Sequence, residues 1–416
     1  MSKAVPVSIA ALCLLSAITA TADDLLPKSR AQALAMEAED ALPLTRFYDP
    51  PPLGERAPGT LIRSEPFDGY SLPPGAHAVR ILYVSRALGG ALDAVSGVVL
   101  IPAGSPPRGG WPVIAWAHGT SGVARMCAPS LMKDVEYGSE GLMPMVAAGF
   151  AVVATDYAGL GTPGHHPYDN KIPQANDVVY SVVAARTAVP SLGRRWVAIG
   201  HSQGGVAVWG VAELEAKLRD PGYRGAISVA GDMDYESFEA HDARDFATIT
   251  NMYWPFTAFG VKASYPSFDV ARMLSPAMLA RYQDVTTKGC WYYAYAAAAE
   301  TGHQAAVRPG WDESPELARY NRDSRSADKP IRGPVLVLAG DDDRSVNFAN
   351  IKSGVARACH HHLPIELVHR PGLDHDPLME KTIGLQLNWV RARLEGKPWS
   401  DNCGSIEAER SRRSRR

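Results

Sequence analysis

A short apolar run, Trp196-Val197-Ala198-Ile199, ends in Gly200-His201-Ser202-Gln203-Gly204 and passes at once into a helix-compatible segment. That order of run, G-x-S-x-G and helix constrains the chain more than any other feature. A sharp strand-to-helix turn places Ser202 at the top of a sheet. Gly200 and Gly204 remove the side chains that would collide in such a turn. A serine hydroxyl is a weak nucleophile and needs exposure, orientation and a base. A helix N-terminus aims free N–H groups at the place where an oxyanion would form. G-x-S-x-G alone is weak evidence in a chain with 37 glycines. The flanking strand and helix turn Ser202 into a candidate nucleophile.

The 416 residues suffice for one large domain with an insertion, or for two domains. A net charge of −2 gives no general attraction to nucleic acid or an anionic membrane. The N-terminus reads as a secretory signal over 1–22: basic Lys3, an apolar stretch over 5–20, then Ala20-Thr21-Ala22 as a cleavage site before Asp23. Cleavage after Ala22 predicts a secreted or periplasmic protein and removes Cys13. Cys13 lies inside the apolar stretch, which disfavours a lipoprotein. Cys127, Cys290, Cys359 and Cys403 remain, an even number that predicts two disulfides in an exported chain. Three pairings are open.

Residues 23–75 are rich in Pro and Gly, including Asp49-Pro50-Pro51-Pro52, and predict an extended lead-in wrapped on the surface. Strand-like runs follow at 77–85, 94–101, 112–117, 150–155, 226–230, 334–339 and 365–369, besides the run before Ser202. Helical spacing marks 143–148, 176–186, 203–218 and 377–394. Apolar strands alternating with helices predict an α/β fold: a mostly parallel central sheet flanked by helices. The core is expected over 76–231 and 329–403. The aromatic and alanine-rich segment 232–328 separates two strands by too much for a loop, and predicts an inserted, mainly helical cap. Most of its aromatics are expected to pack the cap itself, and a minority to line a substrate site. Residues 404–416 read as a disordered basic tail.

A serine nucleophile needs a base, an orienting carboxylate and an oxyanion hole. In the α/β-hydrolase arrangement the chain order is Ser, acid, His, so both partners lie after Ser202. The run 334–339 leads into Gly340-Asp341-Asp342-Asp343-Arg344-Ser345-Val346, where G-x-x-D-x-x-V favours Asp343. Asp341 and Asp342 are then expected to form the turn and cap the next helix. His375, in Gly372-Leu373-Asp374-His375-Asp376-Pro377, is the candidate base. His369 is second, at a strand end where packing or a backbone bond is expected. Gln203 N–H is one oxyanion donor by position, and Thr120 N–H in His118-Gly119-Thr120-Ser121-Gly122 is the other. His360, His361 and His362 invite a metal reading, but adjacent residues rarely converge on one ion, so a solvated turn is expected. His201 is expected to pack beside the turn. Neither metal nor cofactor is implied.

These residues resemble a family. Ala117-His118-Gly119-Thr120-Ser121-Gly122, Cys127-Ala128-Pro129-Ser130, Asp156-Tyr157-Ala158-Gly159-Leu160-Gly161 and Gly200-His201-Ser202-Gln203-Gly204-Gly205 are similar to the secretory lipase family, the fungal lipase A group and its bacterial relatives. So are Phe47-Tyr48-Asp49-Pro50-Pro51 and Pro58-Gly59-Thr60-Leu61-Ile62-Arg63, so the resemblance spans most of the mature chain. It implies an α/β-hydrolase fold with a helical cap and carboxylic-ester hydrolysis. It also implies Ser202, Asp343 and His375 as the triad, a structural role for the Asp156 loop, and the pairs Cys127–Cys290 and Cys359–Cys403. The cap sequence departs from the pattern.

The expectation is an exported serine hydrolase that acts on small-molecule or lipid esters through an acyl-enzyme, with transient lipid contact through the cap and no nucleic-acid partner. A peptidase or amidase on the same fold is the alternative within enzymes. A non-catalytic binding protein on that fold is the alternative outside them.

Overall fold

A computed structural model of the protein describes residues 26–234, 247–302 and 306–406. The expected signal segment lies outside the described residues, as does residues 407–416 of the expected tail. Among the described residues, nine strands form one sheet: β1 (Leu61–Pro66), β2 (His77–Arg86), β3 (Leu92–Ile101), β4 (Trp111–Ala117), β5 (Ala151–Thr155), β6 (Leu192–His201), β7 (Tyr223–Val229), β8 (Val335–Gly340) and β9 (Ile365–Arg370). Their spatial order is β1-β2-β3-β5-β4-β6-β7-β8-β9. The first three strands and the β3–β5 pair are antiparallel, and every pair from β5 to β9 is parallel. This is the mostly parallel α/β-hydrolase architecture that the alternation implied.

The strands read as unbroken apolar runs because both faces are covered. Side chains alternate in direction along a strand. In β4, Val113 and Ala115 enter one core while Ile114 and Trp116 enter the other. Helices α3 (Lys171–Ala188), α4 (Gln203–Leu218) and α10 (Phe348–His360) contribute to the first core. Helices α2 (Met143–Ala147) and α11 (His375–Glu395) contribute to the second. The chain passes from β4 outward to β5 and then back to β6 on the other side of β4. That reversal opens a crevice at the carboxyl ends of the strands, where such sheets bind ligands. Ser202 follows β6 at that crevice.

The lead-in is not extended throughout. Helix α1 (Arg30–Asp40) forms early in it, and β1 pairs with β2. The sequence of α1 consists mainly of good helix formers, and the Ser29 side chain caps it by accepting from Gln32 N–H. The many prolines and glycines downstream masked this signal. Glu37 anchors α1 to the segment beyond β7: its carboxylate accepts from the Cys290 and Tyr293 N–H groups at 2.9–3.0 Å.

Between β7 and β8 stand helices α5 (Ala247–Ser264), α6 (Val270–Met273), α7 (Pro276–Thr287), α8 (Trp291–Ala299) and α9 (Pro315–Ser324). Trp254, Tyr265, Phe268 and Tyr320 are buried in one cluster there, and Phe256 and Tyr293 in another that includes Tyr168 and Ala33. Tyr253, Phe259, Trp291 and Tyr295 lie partly buried at the edge of the second cluster. Disulfides join Cys127 to Cys290 and Cys359 to Cys403. The first ties the start of α8 to the segment after β4, where Trp291 N–H also donates to the Ser121 carbonyl at 2.9 Å. The second fastens the C-terminus to α10. Among the described residues no helix is long and apolar enough to cross a membrane.

Candidate active site

Ser202 sits between β6 and α4 with φ 56° and ψ −119°, a backbone conformation that non-glycine residues rarely adopt. Its N–H donates to the Val229 carbonyl at 2.9 Å, and its side chain makes no cap bond to α4. The hydroxyl is thereby left for chemistry. The turn closes only because its flanks are glycine. A Cβ on Gly200 would lie 2.0 Å from the Gly204 carbonyl oxygen, and one on Gly204 would lie 1.8 Å from that of Ala117. The second contact also shows how closely the end of β4 presses on the elbow. Thr120 in that loop is buried, and its hydroxyl is held by Tyr168 Oη at 2.8 Å.

Asp343 follows β8 and His375 opens α11. His375 Nδ1 and Asp343 Oδ2 are 2.8 Å apart, and the Asp343 side chain is wholly buried. Asp343 Oδ1 accepts from the N–H groups of Ser345 and Val346 at 2.9 and 2.8 Å. The carboxylate therefore has one oxygen fixed by backbone and one presented to the ring. With Asp343 accepting at Nδ1, Nδ1 carries the proton and Nε2 is left as the basic nitrogen. Burial disfavours the imidazolium, but the Asp343 carboxylate, with Asp376 and Asp374 beyond it, outweighs burial and pushes His375 up to about 9.

His201 does more than pack. Its Nε2 is 3.2 Å from the His375 carbonyl and its Nδ1 is 3.0 Å from Tyr137 Oη. The consistent assignment is Nε2–H donating to that carbonyl and Tyr137 O–H donating to Nδ1. Burial, then the neighbouring His375, pulls His201 down to about 4, so the ring is neutral. The two rings are 4.6 Å apart, which brings the base to the elbow. His201, His375 and Asp376 place possible metal-ligand atoms within 4.8 Å of one another. In this bonding pattern, however, both ring nitrogens of His201 are already engaged, which leaves no lone pair for an ion.

The other candidates separate. Asp341 Oδ1 accepts from Gly372 N–H at 2.7 Å, and its Oδ2 pairs with His369 Nε2 at 3.1 Å. His369 therefore lies beside a carboxylate rather than a backbone group, and stacks on Phe348. The helix after the acid loop is capped by Asn347 and not by an aspartate, because its first turn begins at Phe348, beyond the reach of the Asp341 and Asp342 side chains as caps. Asp342 is exposed, as are His360, His361 and His362. The Asp156 carboxylate accepts from Ser96 Oγ and from Ser130 N–H and Oγ, all buried. That is a fastening of loops.

Sequence reasoning passed over Tyr137, His166, Arg344 and Asp374. His166 Nδ1 is 3.1 Å from the Ala158 carbonyl and its Nε2 is 2.9 Å from Gln203 Nε2, so a neutral ring receives the Gln203 amide. Burial pulls His166 down to about 3. None of these residues occupies a specified position of a motif; only their neighbours in space give them a part. Tyr253 on α5 hydrogen-bonds the side chains of Ser345 and Trp291. Burial, with the fields of Asp376 and Asp343 adding to it, pushes its hydroxyl up to about 12.

Sheet, elbow and buried acid–imidazole pair together define a protein of the α/β-hydrolase class. A family model described as "Serine aminopeptidase, S33" matches residues 142–382, more than half of the chain, and the chain belongs to this family of α/β-hydrolases. No curated protein matches the sequence. Solved structures do. The rice cell wall degrading esterase LipA from Xanthomonas oryzae is 17% identical, with 82% of this chain and 99% of that chain covered and a TM-score of 0.65. Candida antarctica lipase A is 16% identical, with 88% and 89% covered and a TM-score of 0.68. A putative hydrolase from Legionella pneumophila is 16% identical, with 90% and 98% covered and a TM-score of 0.62. At such identities the likeness is one of fold.

Proposed function

We propose that this hydrolase is an exported carboxylic-ester hydrolase that works through an acyl-enzyme. The carrying observation is the 2.8 Å Asp343–His375 bond set beside a serine on a strained elbow. In this reading Ser202 attacks the acyl carbonyl and His375 Nε2 takes its proton. Asp343 holds the ring in the Nδ1–H tautomer and stabilises the imidazolium. The N–H groups of Gln203 and Thr120 receive the oxyanion. The alcohol leaves with the proton from His375, and water, activated by the same ring, then releases the acid. The esterase and lipase among the structural neighbours support an ester as substrate, small or lipidic, with the helices between β7 and β8 acting as a cap over the acyl group. Two disulfides and the signal-like N-terminus support export.

The test is fluorophosphonate labelling together with p-nitrophenyl esters of increasing acyl length. Wild-type protein should label at Ser202 and turn over esters. Ser202→Ala should not label and should lose about 10⁶ in kcat. Labelling at another serine, or none, rejects the reading, and none points to a non-catalytic binding protein. The family description favours a second reading, cleavage of amides. Aminoacyl p-nitroanilides turned over faster than the esters would establish it.

A further inference from the structure

The residue after the acid grips the residue before the base. Arg344 N–H donates to Asp374 Oδ1 at 3.0 Å, and its Nε donates to Oδ2 at 2.6 Å. Its Nη2 is also 2.6 Å from Oδ2. The same carboxylate caps α11, with Oδ1 accepting from His375 N–H at 2.8 Å. One side chain therefore fixes both the helical turn that begins with the imidazole and the loop residue adjoining the Asp343 carboxylate.

We infer that Arg344 and Asp374 are positioning residues, a clamp that sets the distance and angle between the Asp343 carboxylate and the His375 imidazole. The inference rests on the Ser202–His375–Asp343 reading and deepens it. Asp343 stands on a loop and His375 at the start of α11, 32 residues apart in sequence. The β8–β9 ladder ends at the Gly340–Arg370 pair, so no strand pairing fixes the loops beyond it. Two guanidinium nitrogens on Oδ2, with the Arg344 N–H on Oδ1, supply orientation that a single hydrogen bond does not. Both side chains are partly exposed, at 40% and 24%. Such a pair contributes little to global stability, so its effect is local geometry.

The clamp also sets the charge around the base. Asp343, Asp374 and Asp376 face His375 with negative charge, and neutral His201 faces it from the end of β6. Tyr137 bonds His201, and Tyr253 from α5 faces Asp343 and Asp376. Arg344 is the cation bound to this group, and it sits on Asp374.

The experiment uses the full mature protein with steady-state kinetics, pH profiles and melting curves. Arg344→Gln keeps the backbone bond and removes the cation. Its kcat should fall about tenfold with KM unchanged, since small misplacements of reacting groups cost that much or more. The acid limb of its kcat/KM profile should move to higher pH, because Asp374 then faces His375 without a countercharge. Asp374→Ser keeps a capping oxygen and removes the charge. Its kcat should fall similarly while its acid limb moves to lower pH. Arg344→Lys should restore the limb but only part of kcat, and the double variant should be no worse than the worse single. Fluorophosphonate labelling of wild type at Ser202 is the control; without it the triad reading fails and the clamp falls with it. With wild type labelled, single variants within twofold of its kcat and with unmoved limbs overturn the clamp. A loss of kcat that tracks a loss of Tm, with no movement of the limb, overturns it too. If Asp374→Ser does not fold, Arg344→Gln decides alone.

Discussion

The elbow around Ser202 and the acid–base corner beside it are built in opposite ways. At the elbow the backbone does the positioning: a strained φ, two glycines whose Cβ atoms would meet carbonyl oxygens, and a helix starting at the next residue. At the corner side chains do it: Asp343 on His375, Asp374 on Arg344, Asp341 on Gly372 and His369. A backbone device is all-or-none, because peptide groups cannot move aside. A side-chain device can be weakened one bond at a time.

The sharpest way to break the comparison is Gly204→Ala. The added methyl meets backbone at 1.8 Å, so no soluble folded enzyme should be recovered. A folded, active variant by circular dichroism and ester turnover would show that the elbow has slack. At the corner, Asp343→Asn should fold normally and lose about 10⁴ in kcat through the wrong tautomer. Asp341→Asn and Asp342→Asn should each stay within about threefold of wild type, since neither touches the imidazole. A dead Asp341→Asn would move the orienting role to the other loop contact.

The disulfides divide along the same line. Removing either by serine replacement should cost about 2–5 kcal/mol of stability in a denaturant titration. Only the Cys127–Cys290 pair should also reduce kcat, because it holds Trp291 against the Ser121 carbonyl in the loop that carries Thr120. Equal kinetic effects from the two pairs would show that the loop is held by other contacts.

pH sharpens the contrast, with activity and stability moving in opposite directions. His375 is raised from 6.5 to about 9, so the neutral base accumulates only toward alkaline pH and kcat/KM should climb between those values. The same shift stabilises the fold fully below about 6.5, and that contribution is lost as pH rises through about 9. A kcat/KM profile already flat by pH 7 would show that the carboxylates do not hold the proton on His375. The smallest stability change belongs to the elbow. Ser202→Gly should abolish activity yet raise stability by about 1 kcal/mol, by releasing a strained φ. A lower Tm in that variant would mean that no strain is stored there.

The helix over 203–218 was legible to the residue, because the nucleophile motif and the helix start are one feature. Helix α1 was not, since its short run of helix formers lies upstream of a Pro- and Gly-rich stretch. Asp343 was favoured on spacing, but nothing local distinguished it from two identical neighbours. Burial against His375, 32 residues away, does that. His369 packs on Phe348 as its place at a strand end implied, but its neighbour Asp341 was hidden because it belongs to the adjacent strand's loop.

The sequence by itself determined the alternating strands and helices, the serine turn and the chain order of that serine, an aspartate loop and a histidine. Periodicity and glycine requirements act over a few residues, so they are written locally. Only the tertiary structure decided which aspartate meets the histidine, which tautomer the ring takes, and that Arg344 and Asp374, at positions no motif specifies, meet each other. Those outcomes depend on hydrogen bonds between loops brought together by strand pairing, and neither loop encodes its partner's position.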